Sequence, residues 1–193
     1  MSVERPLRAD AARNRAKILD AARAQITVHG PEVPMDAIAE AASVAVGTLY
    51  RHFPDKTALV GAVLAEHMAE LARHTEEAAA RVGAGADAMT ELRGLIATVL
   101  ETAARDAALK AAARRFGADY AEQIGTARTV RALQSLLDGA KADGELHPDI
   151  TIDDFAMLLA TAPLDAPAPI RERWLTLVLP GLTTTGRPIG SVR

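Results

Sequence analysis

The sequence predicts an all-α protein of about nine helices, in which three N-terminal helices are followed by a larger helical domain. Alanine, the residue with the highest helix propensity, recurs throughout the chain. Aromatic residues make up only 3% of the chain, and the β-branched and aromatic runs that mark strands are scarce. Apolar residues recur at helical spacing, as in Ile18, Ala22 and Ile26. These three observations favour helices along the whole chain.

Apolar periodicity and helix-stopping residues predict where each helix begins and ends. The first is predicted at about 10–29, because Gly30 and Pro31 form a common helix stop. In the part that follows, the run VGAGAD ends a long helix, and glycine, proline and Asp-Gly breaks separate the later ones. The further helices are predicted at about 35–42, 46–53, 55–81, 87–105, 107–117, 119–142, 152–162 and 169–181.

Three regions follow from this pattern: an N-terminal domain at residues 1–58, a helical domain at 59–183 and a tail at 184–193. The boundary between the domains lies inside the long helix that begins near Asp55, so a shared helix joins them. The segment from Thr183 onward contains glycine, proline and threonine without periodicity. We therefore expect the tail to be loose.

Composition excludes several classes of protein. The chain has no cysteine, which excludes disulfides, thiolate metal sites and cysteine catalysis. The N-terminus has no apolar segment typical of a secretory signal, and no apolar run is long enough to span a membrane. We expect a soluble, cytoplasmic protein. The net charge is −3, but residues 1–56 carry eight basic and seven acidic side chains, so the negative charge lies in the remainder.

The second and third predicted helices and the turn between them have the geometry of a helix-turn-helix. Ala39 and Ala42 are small enough to let the third helix cross the second closely. In the third helix, Val46, Leu49 and Phe53 share one side and are predicted to dock onto the domain. The outward-facing residues are Gly47, Thr48, Arg51 and His52, with Tyr50 at the margin.

The same residues resemble the signature of the tetracycline-repressor (TetR) family. The resemblance rests on residues 38–42 (IAEAA) and 46–59 (VGTLYRHFPDKTAL), preceded by 18–22 (ILDAA) and by the His-Gly pair that ends the first helix. It covers about residues 13–65. It implies an all-α homodimer whose third helices enter the major groove of a palindromic double-stranded DNA operator. It also implies a C-terminal domain that dimerises and binds a small-molecule effector, which releases the DNA.

The resemblance assigns contacts on the DNA. Thr48 and Tyr50 match positions that touch phosphates or base edges, and His52 and Lys56 match phosphate contacts. Arg51 is the candidate for reading sequence, because a guanidinium can donate to guanine O6 and N7 together. In the alternative interpretation, Tyr50 and His52 only complete the packing of a small domain. The predicted DNA-binding residues are Val46, Gly47, Thr48, Tyr50, Arg51, His52 and Lys56.

Three positions depart from the family pattern. Ser43 stands in the turn where glycine is usual, and glycine relaxes a backbone conformation that serine disfavours. Ala45 and Pro34 precede the third and second helices without the usual capping hydroxyl, although Asp36 can compensate in the second. We expect a slightly frayed helix-turn-helix.

Four basic residues are predicted to form an arm in front of the first helix. Its members are Arg5, Arg8, Arg13 and Arg15. The cluster has two open interpretations: added phosphate contacts, or a solvated terminus.

The last two predicted helices are the expected dimer pair, as the resemblance implies. Trp174 is the single tryptophan, and large aromatic side chains often anchor interfaces, although a core position would give the same pattern. Asp153, Asp154 and Asp165 with Arg171 and Arg173 would set the register between subunits. The predicted interface residues are Phe155, Leu158, Leu159, Trp174, Leu177, Val178 and Gly181.

An effector pocket is expected among the middle helices, because ligand pockets are mostly apolar with a few polar groups. Most of the candidate residues are equally compatible with a packed core. The candidate ligand-binding residues are Leu92, Ile96, Leu100, Phe116, Tyr120, Gln123 and Ile124.

The remaining motifs do not favour catalysis or a metal. His67, Glu70 and His74 share one helical face, but no fourth ligand is evident, so a solvated face is the preferred interpretation over a metal site. No nucleophile elbow or phosphate-binding glycine loop is present, and no cofactor is expected. The predicted function is a ligand-responsive transcriptional repressor. The alternative is a protein-interaction adaptor on the same scaffold with weakened or lost DNA binding.

Overall fold

The computed structural model describes residues 4–105, Ala112, Arg115, 127–164 and 166–187. Within these residues the chain forms α-helices and one 3-10 helix, and its extended pairing is limited to a single bridge between Leu146 and Thr183. The predicted all-α fold is confirmed. The helices are α1 (Glu4–His29), α2 (Met35–Ala41), α3 (Val46–His52), α4 (Lys56–Gly83), α5 (Ala88–Arg105), α6 (Ala127–Ala142), α7 (Ile152–Thr161), α8 (Ala168–Val178) and the 3-10 helix η1 (Leu179–Leu182).

The described residues divide into two compact units. The head unit contains residues 4–68 with Arg105, Ala112 and Arg115, and the C-terminal unit contains 69–104, 127–164 and 166–187. The division along α4 falls between Met68 and Ala69. The sequence predicted a boundary inside this helix, but at residues 58 and 59.

The head unit is held together by one apolar core. From α1 the predicted stripe of Ile18, Ala22 and Ile26 is fully buried, as apolar residues at i, i+4 and i+8 share one face of a helix. Each of the other three helices buries its own apolar residues against this stripe. Since α2 and α3 are too short to be stable alone, this packing is what stabilises them. Their buried residues are Ile38 and Ala39 from α2, Leu49 from α3, and Leu59, Val60, Val63 and Leu64 from α4.

The first helix begins earlier than predicted. It starts at Glu4 instead of near Asp10, with Pro6 in its first turn, where a missing N–H costs no helical hydrogen bond. The interpretation of an arm in front of the helix was therefore wrong. Arg13 and Arg15 belong to α1, and their placement is fixed by its helical phase.

The C-terminal unit has its own core between α5, α6 and α7. Met89 and Ile96 of α5 pack with Leu137 and Ala140 of α6 and with Phe155 of α7. Close approach of α6 is possible because Gly139 lacks a side chain, and a Cβ there would lie 3.1 Å from the Cβ of Ala88. This core positions α7 and α8, the predicted dimer pair.

The segment after α8 is attached, contrary to the loose tail that the sequence predicted. The Thr184 N–H donates to the Glu145 carbonyl at 3.0 Å, and the Thr184 hydroxyl donates to the Gly144 carbonyl at 2.6 Å. Arg187 forms an ion pair with Asp149. The Asp149 carboxylate also lies 2.5 Å from His147 Nδ1, within hydrogen-bond distance. These bonds hold residues 183–187 on the loop between α6 and α7, while 188–193 lie outside the described residues.

Candidate DNA-binding surface

The turn between α2 and α3 is a tight reversal built on Ser43. This residue has φ +55°, in the left-handed region that residues other than glycine rarely adopt. The Ser43 N–H donates to the Glu40 carbonyl at 2.9 Å and the Val44 N–H to the Ala39 carbonyl at 3.0 Å. This pair of bonds is the Schellman motif that closes many helices, usually with glycine at the left-handed position. Ser43 therefore carries the backbone strain that the sequence predicted.

Both helices of the motif begin without a side-chain cap, as the sequence predicted. Ala45 precedes α3 and Pro34 precedes α2, each in an extended conformation, and neither side chain accepts a hydrogen bond from the first turn. Asp36 places a carboxylate in the first turn of α2, where the positive end of the helix dipole favours it. The motif thus depends on packing at its helix starts.

The two sides of α3 are clearly different. Leu49 is fully buried and Phe53 nearly so, which confirms them as the docking side. Val46 was predicted on that side but is 41% exposed, because it begins the helix before the chain reaches the core. Tyr50 is 44% exposed, and Gly47 has open space where a Cβ would lie. The outward side therefore combines an aromatic ring with accessible backbone.

The polar side chains of α3 are partly folded onto their own helix. Arg51 is exposed, and its Nε donates to the Gly47 carbonyl at 3.1 Å while a terminal nitrogen lies 3.4 Å from the Thr48 hydroxyl. His52 is half-buried, and its ring packs at a tilt against Phe53 with centroids 6.3 Å apart. Arg51 is consequently free of core packing and can extend by rotamer changes alone.

Lys56 lies at the first residue of α4, half-buried, and its ammonium donates to the Val33 carbonyl. Burial lowers the pKa of Lys56, and the negative charge of Glu32 partly opposes this shift. The unfavourable cation at a helix start is offset by Asp55, whose carboxylate caps the helix by accepting the Ala58 N–H at 2.8 Å. Lys56 therefore links the loop before α2 to α4.

Comparisons with known proteins extend over most of the chain. Residues 18–63 match the model of the tetR family of bacterial regulatory proteins, and residues 87–184 match the C-terminal domain of SbtR-like transcriptional regulators. The chain is 33% identical over 150 residues to the HTH-type transcriptional repressor KstR of Mycobacterium tuberculosis, over 76% of this chain and 67% of that protein. The chain belongs to the TetR family.

Two further relatives place this TetR-family protein among known sequences and folds. It is 45% identical over 78 residues to the repressor KstR of Mycolicibacterium smegmatis, which covers 39% of this chain and 38% of that protein. A crystal structure of a TetR regulator from Mycobacterium vanbaalenii matches with a TM-score of 0.70 and 33% identity, over 92% of this chain and 99% of that one. The protein is accordingly a non-enzymatic, DNA-binding transcriptional regulator with a helix-turn-helix.

The match at residues 87–184 shows a relationship that sequence reasoning missed. The resemblance found from the sequence alone was limited to about residues 13–65. In the C-terminal region, alanine and leucine at helical spacing fit many helical proteins, so no short motif could reveal it.

Among the described residues, no helix is long and apolar enough to cross a membrane.

The predicted effector residues of the TetR-family regulator are only partly described. Leu92, Ile96 and Leu100 are buried in the core of the C-terminal unit. The others, Phe116, Tyr120, Gln123 and Ile124, lie outside the described residues. The pocket stays a prediction.

The predicted dimer residues differ in how far they are buried within their own chain. Phe155 and Leu158 are buried within their own chain, so they contribute to its core and offer little surface to a partner. Leu177 is 62% exposed. The other four are partly buried or exposed: Leu159, Trp174, Val178 and Gly181.

Two further exposed apolar residues lie on the same helices. Met157 of α7 is 62% exposed and Ile170 of α8 is 54% exposed. Sequence reasoning missed Met157 because it lies off the stripe that contains Phe155 and Leu158. Met157 follows Phe155 by two residues, which puts it on the opposite side of the helix from the buried stripe. An apolar residue at that position is the sequence signal that would have found it.

The residues weighed as a metal site have other surroundings. His67 is buried, and its Nδ1 lies 3.4 Å from a guanidinium nitrogen of Arg23. His74 Nε2 lies 4.0 Å from a carboxylate oxygen of Glu70. In the part of the chain that the structure describes, no three potential metal ligands are grouped.

Proposed function

We propose that this chain represses transcription by placing α3 in the major groove of a palindromic operator as a homodimer. The observation that carries the proposal is the two-sidedness of α3. Leu49 anchors the helix in the core, while Tyr50 and Arg51 remain exposed on its other side. A helix of this width fits the major groove, and its exposed donors can reach base edges there. The relatives named as transcriptional repressors support the direction of regulation.

The contacts divide into reading and positioning. Arg51 would extend from its bond with the Gly47 carbonyl and donate to guanine O6 and N7. Thr48, Tyr50 and His52 would donate to phosphates at the groove edge. Lys56 retains donors for a phosphate while it holds the Val33 carbonyl, because an ammonium carries three N–H groups.

The test is equilibrium binding of the purified protein to DNA from upstream of its own gene, measured by fluorescence anisotropy at several salt concentrations. Arg51→Ala should weaken the preferred site by about 5- to 150-fold for each half-site and leave non-specific DNA nearly unchanged, since each of the two bidentate guanine contacts of a dimer contributes about 1–3 kcal/mol. Lys56→Ala should weaken all sequences alike. Arg73→Ala, an exposed arginine of the C-terminal unit that pairs with Glu77, is the matched control.

Two results would contradict the proposal. If Arg51→Ala and Lys56→Ala both bound like the wild type, α3 would not be the DNA-reading surface. If the wild type protected no palindrome at low salt, the adaptor interpretation would replace operator binding.

The proposed dimer surface consists of the exposed apolar residues of α7 and α8, namely Met157, Ile170 and Leu177. Large exposed apolar side chains on two consecutive helices are typical of a helical interface. Leu177→Arg should convert the dimer to a monomer in sedimentation velocity, because a charge would be buried without a partner. Val130→Arg, at an exposed valine of α6, is the matched control and should stay dimeric. A dimeric Leu177→Arg variant would exclude this surface.

The proposed effector is a small molecule that binds the C-terminal unit and lowers operator affinity. A screen by thermal melting would identify it, since a ligand at 100 times its Kd adds about 2.7 kcal/mol of stability. The stabilising compound should also release the operator in the anisotropy assay. A compound that stabilises the protein without changing DNA affinity would not be the effector.

A further inference from the structure

We propose that Arg15 of α1 is a DNA phosphate contact, so that the DNA-binding surface extends from α3 onto the first helix. The inference rests on the operator binding proposed above and adds a residue outside the helix-turn-helix. Its partner is the phosphodiester backbone at the edge of the groove that α3 enters.

The helical phase of α1 directs Arg15 toward the rest of the head unit. Arg15 precedes Ile18, Leu19 and Ala22 by three, four and seven residues, so it continues the face that is buried further along the helix. Arg15 itself is exposed, which places it where this face leaves the core. Its side chain can therefore reach α3 without being buried.

The contact with α3 fixes the cation in place. The guanidinium carbon of Arg15 lies 5.6 Å from the centroid of the Phe53 ring, at the residue that ends α3. A cation over an aromatic face is attracted by the ring, and the C-terminal end of a helix also favours positive charge. The last turn of α3 already carries Arg51 and His52. Arg15 thus adds a third basic side chain at this end of α3, from a different helix.

A guanidinium placed over a ring keeps its donors available. The Phe53 ring has no oxygen or nitrogen to accept a hydrogen bond, so the outer edge of the Arg15 guanidinium keeps its N–H donors. This edge matches two oxygens of a phosphate, and the charge does not titrate near neutral pH. Because the protein as a whole has a net charge of −3, its affinity for DNA depends on cations placed locally in this way.

Arg13 provides an internal comparison on the same helix. It is also exposed, but it lies two residues away, about 200° around α1, and it pairs with Asp10. Replacing either arginine changes the net charge equally. A difference between the two variants therefore reports a contact and not the overall charge.

The test compares Arg15→Gln, Arg15→Lys and Arg13→Gln for operator binding over a range of salt concentrations, with a thermal melt of each protein. Arg15→Gln should lose about tenfold in affinity for each subunit, about 100-fold for the dimer, on specific and non-specific DNA alike, as expected for one charge-assisted contact in each subunit. The slope of log K against log salt should fall by about 1.8, because the dimer loses two phosphate contacts and each contributes about 0.9. Arg15→Lys should retain the slope, and Arg13→Gln should match the wild type.

The inference is overturned if Arg15→Gln keeps the wild-type slope, even with lower affinity, because a role limited to packing on Phe53 would not change the number of ions released. Equal effects of Arg15→Gln and Arg13→Gln would also overturn it. Failure of the wild type to bind operator would instead refute the proposed function.

Discussion

Ser43 offers a direct test of how the helix-turn-helix is built, through the substitution Ser43→Gly. The residue has φ +55° at the end of α2, a conformation that costs a non-glycine residue about 1–2 kcal/mol. Glycine removes this strain but makes the unfolded chain more flexible, at a cost of about 0.5–1 kcal/mol. The free energy of unfolding of the head unit should therefore rise by about 0.75 kcal/mol, the difference between the midpoints of these two ranges.

The assay is urea denaturation monitored by circular dichroism, with the midpoint compared at constant slope. Gly30 supplies the reverse experiment, because it has φ +79° after α1 and nothing lies within 4 Å of a Cβ built there. Gly30→Ala should lower the midpoint through backbone strain alone. Ser43→Ala, which keeps the strain and removes only the hydroxyl, should gain no stability.

A Ser43→Gly variant that is no more stable than the wild type would refute this reasoning about the turn. The same holds if Ser43→Ala gains as much as Ser43→Gly, because the hydroxyl and not the backbone would then be the cause of the strain.

Three further substitutions test the helix ends. Ala45→Ser should raise the unfolding free energy by about 1 kcal/mol, since a hydroxyl at this extended position can accept an N–H from the first turn of α3. Thr151→Ala should make stability less sensitive to acid, because hydrogen bonds from Thr151 lower the pKa of Asp154 in the folded protein. The wild type therefore has this extra stability above the ordinary pKa of the carboxyl and loses it as the pH falls through the lowered pKa of the folded state. Gly186→Ala should destabilise the C-terminal unit in thermal melts, because a Cβ would lie 2.1 Å from the Pro180 carbonyl oxygen.

Each of these has a control or a contrary result. Ala45→Val should not stabilise α3, because valine cannot cap. Equal loss of stability between about pH 5 and pH 3 in the wild type and Thr151→Ala would contradict the assignment of the Asp154 pKa. Gly181→Ala should be tolerated, since nothing lies within 4 Å of a Cβ there, and a Gly186→Ala protein as stable as this control would contradict the packing.

The helix-turn-helix could be predicted from the sequence because its signals are local. The spacing of Leu49 and Phe53 defines the buried side of α3, and the position of Ser43 in the turn predicted its left-handed backbone. Val46 was assigned to the buried side by spacing alone. The core does not reach Val46, the first residue of α3. The spacing of apolar residues shows which side of a helix is buried, but not where along the helix the burial ends.

Other features depend on contacts between distant parts of the chain. The residues after α8 were expected to be loose, yet Thr184 bonds to the backbone at Gly144 and Glu145. Both acceptors are backbone carbonyls, which every residue carries, so such pairing leaves no pattern of side chains at the acceptor positions. The bond of Lys56 to the Val33 carbonyl and the cation–π contact of Arg15 with Phe53 escaped prediction for a related reason, because both need the fold itself.

The central claim, that α3 reads base edges through Arg51, is tested most directly by methylation interference on the operator. Methylation of guanine N7 blocks the major-groove acceptor that a bidentate guanidinium uses. Modified guanines at symmetric positions, about 10 base pairs or a multiple of that apart, should prevent binding of the wild type, and Arg51→Ala should bind modified and unmodified DNA equally. The claim is contradicted if the wild type is insensitive to guanine methylation or if Arg51→Ala shows the same interference pattern.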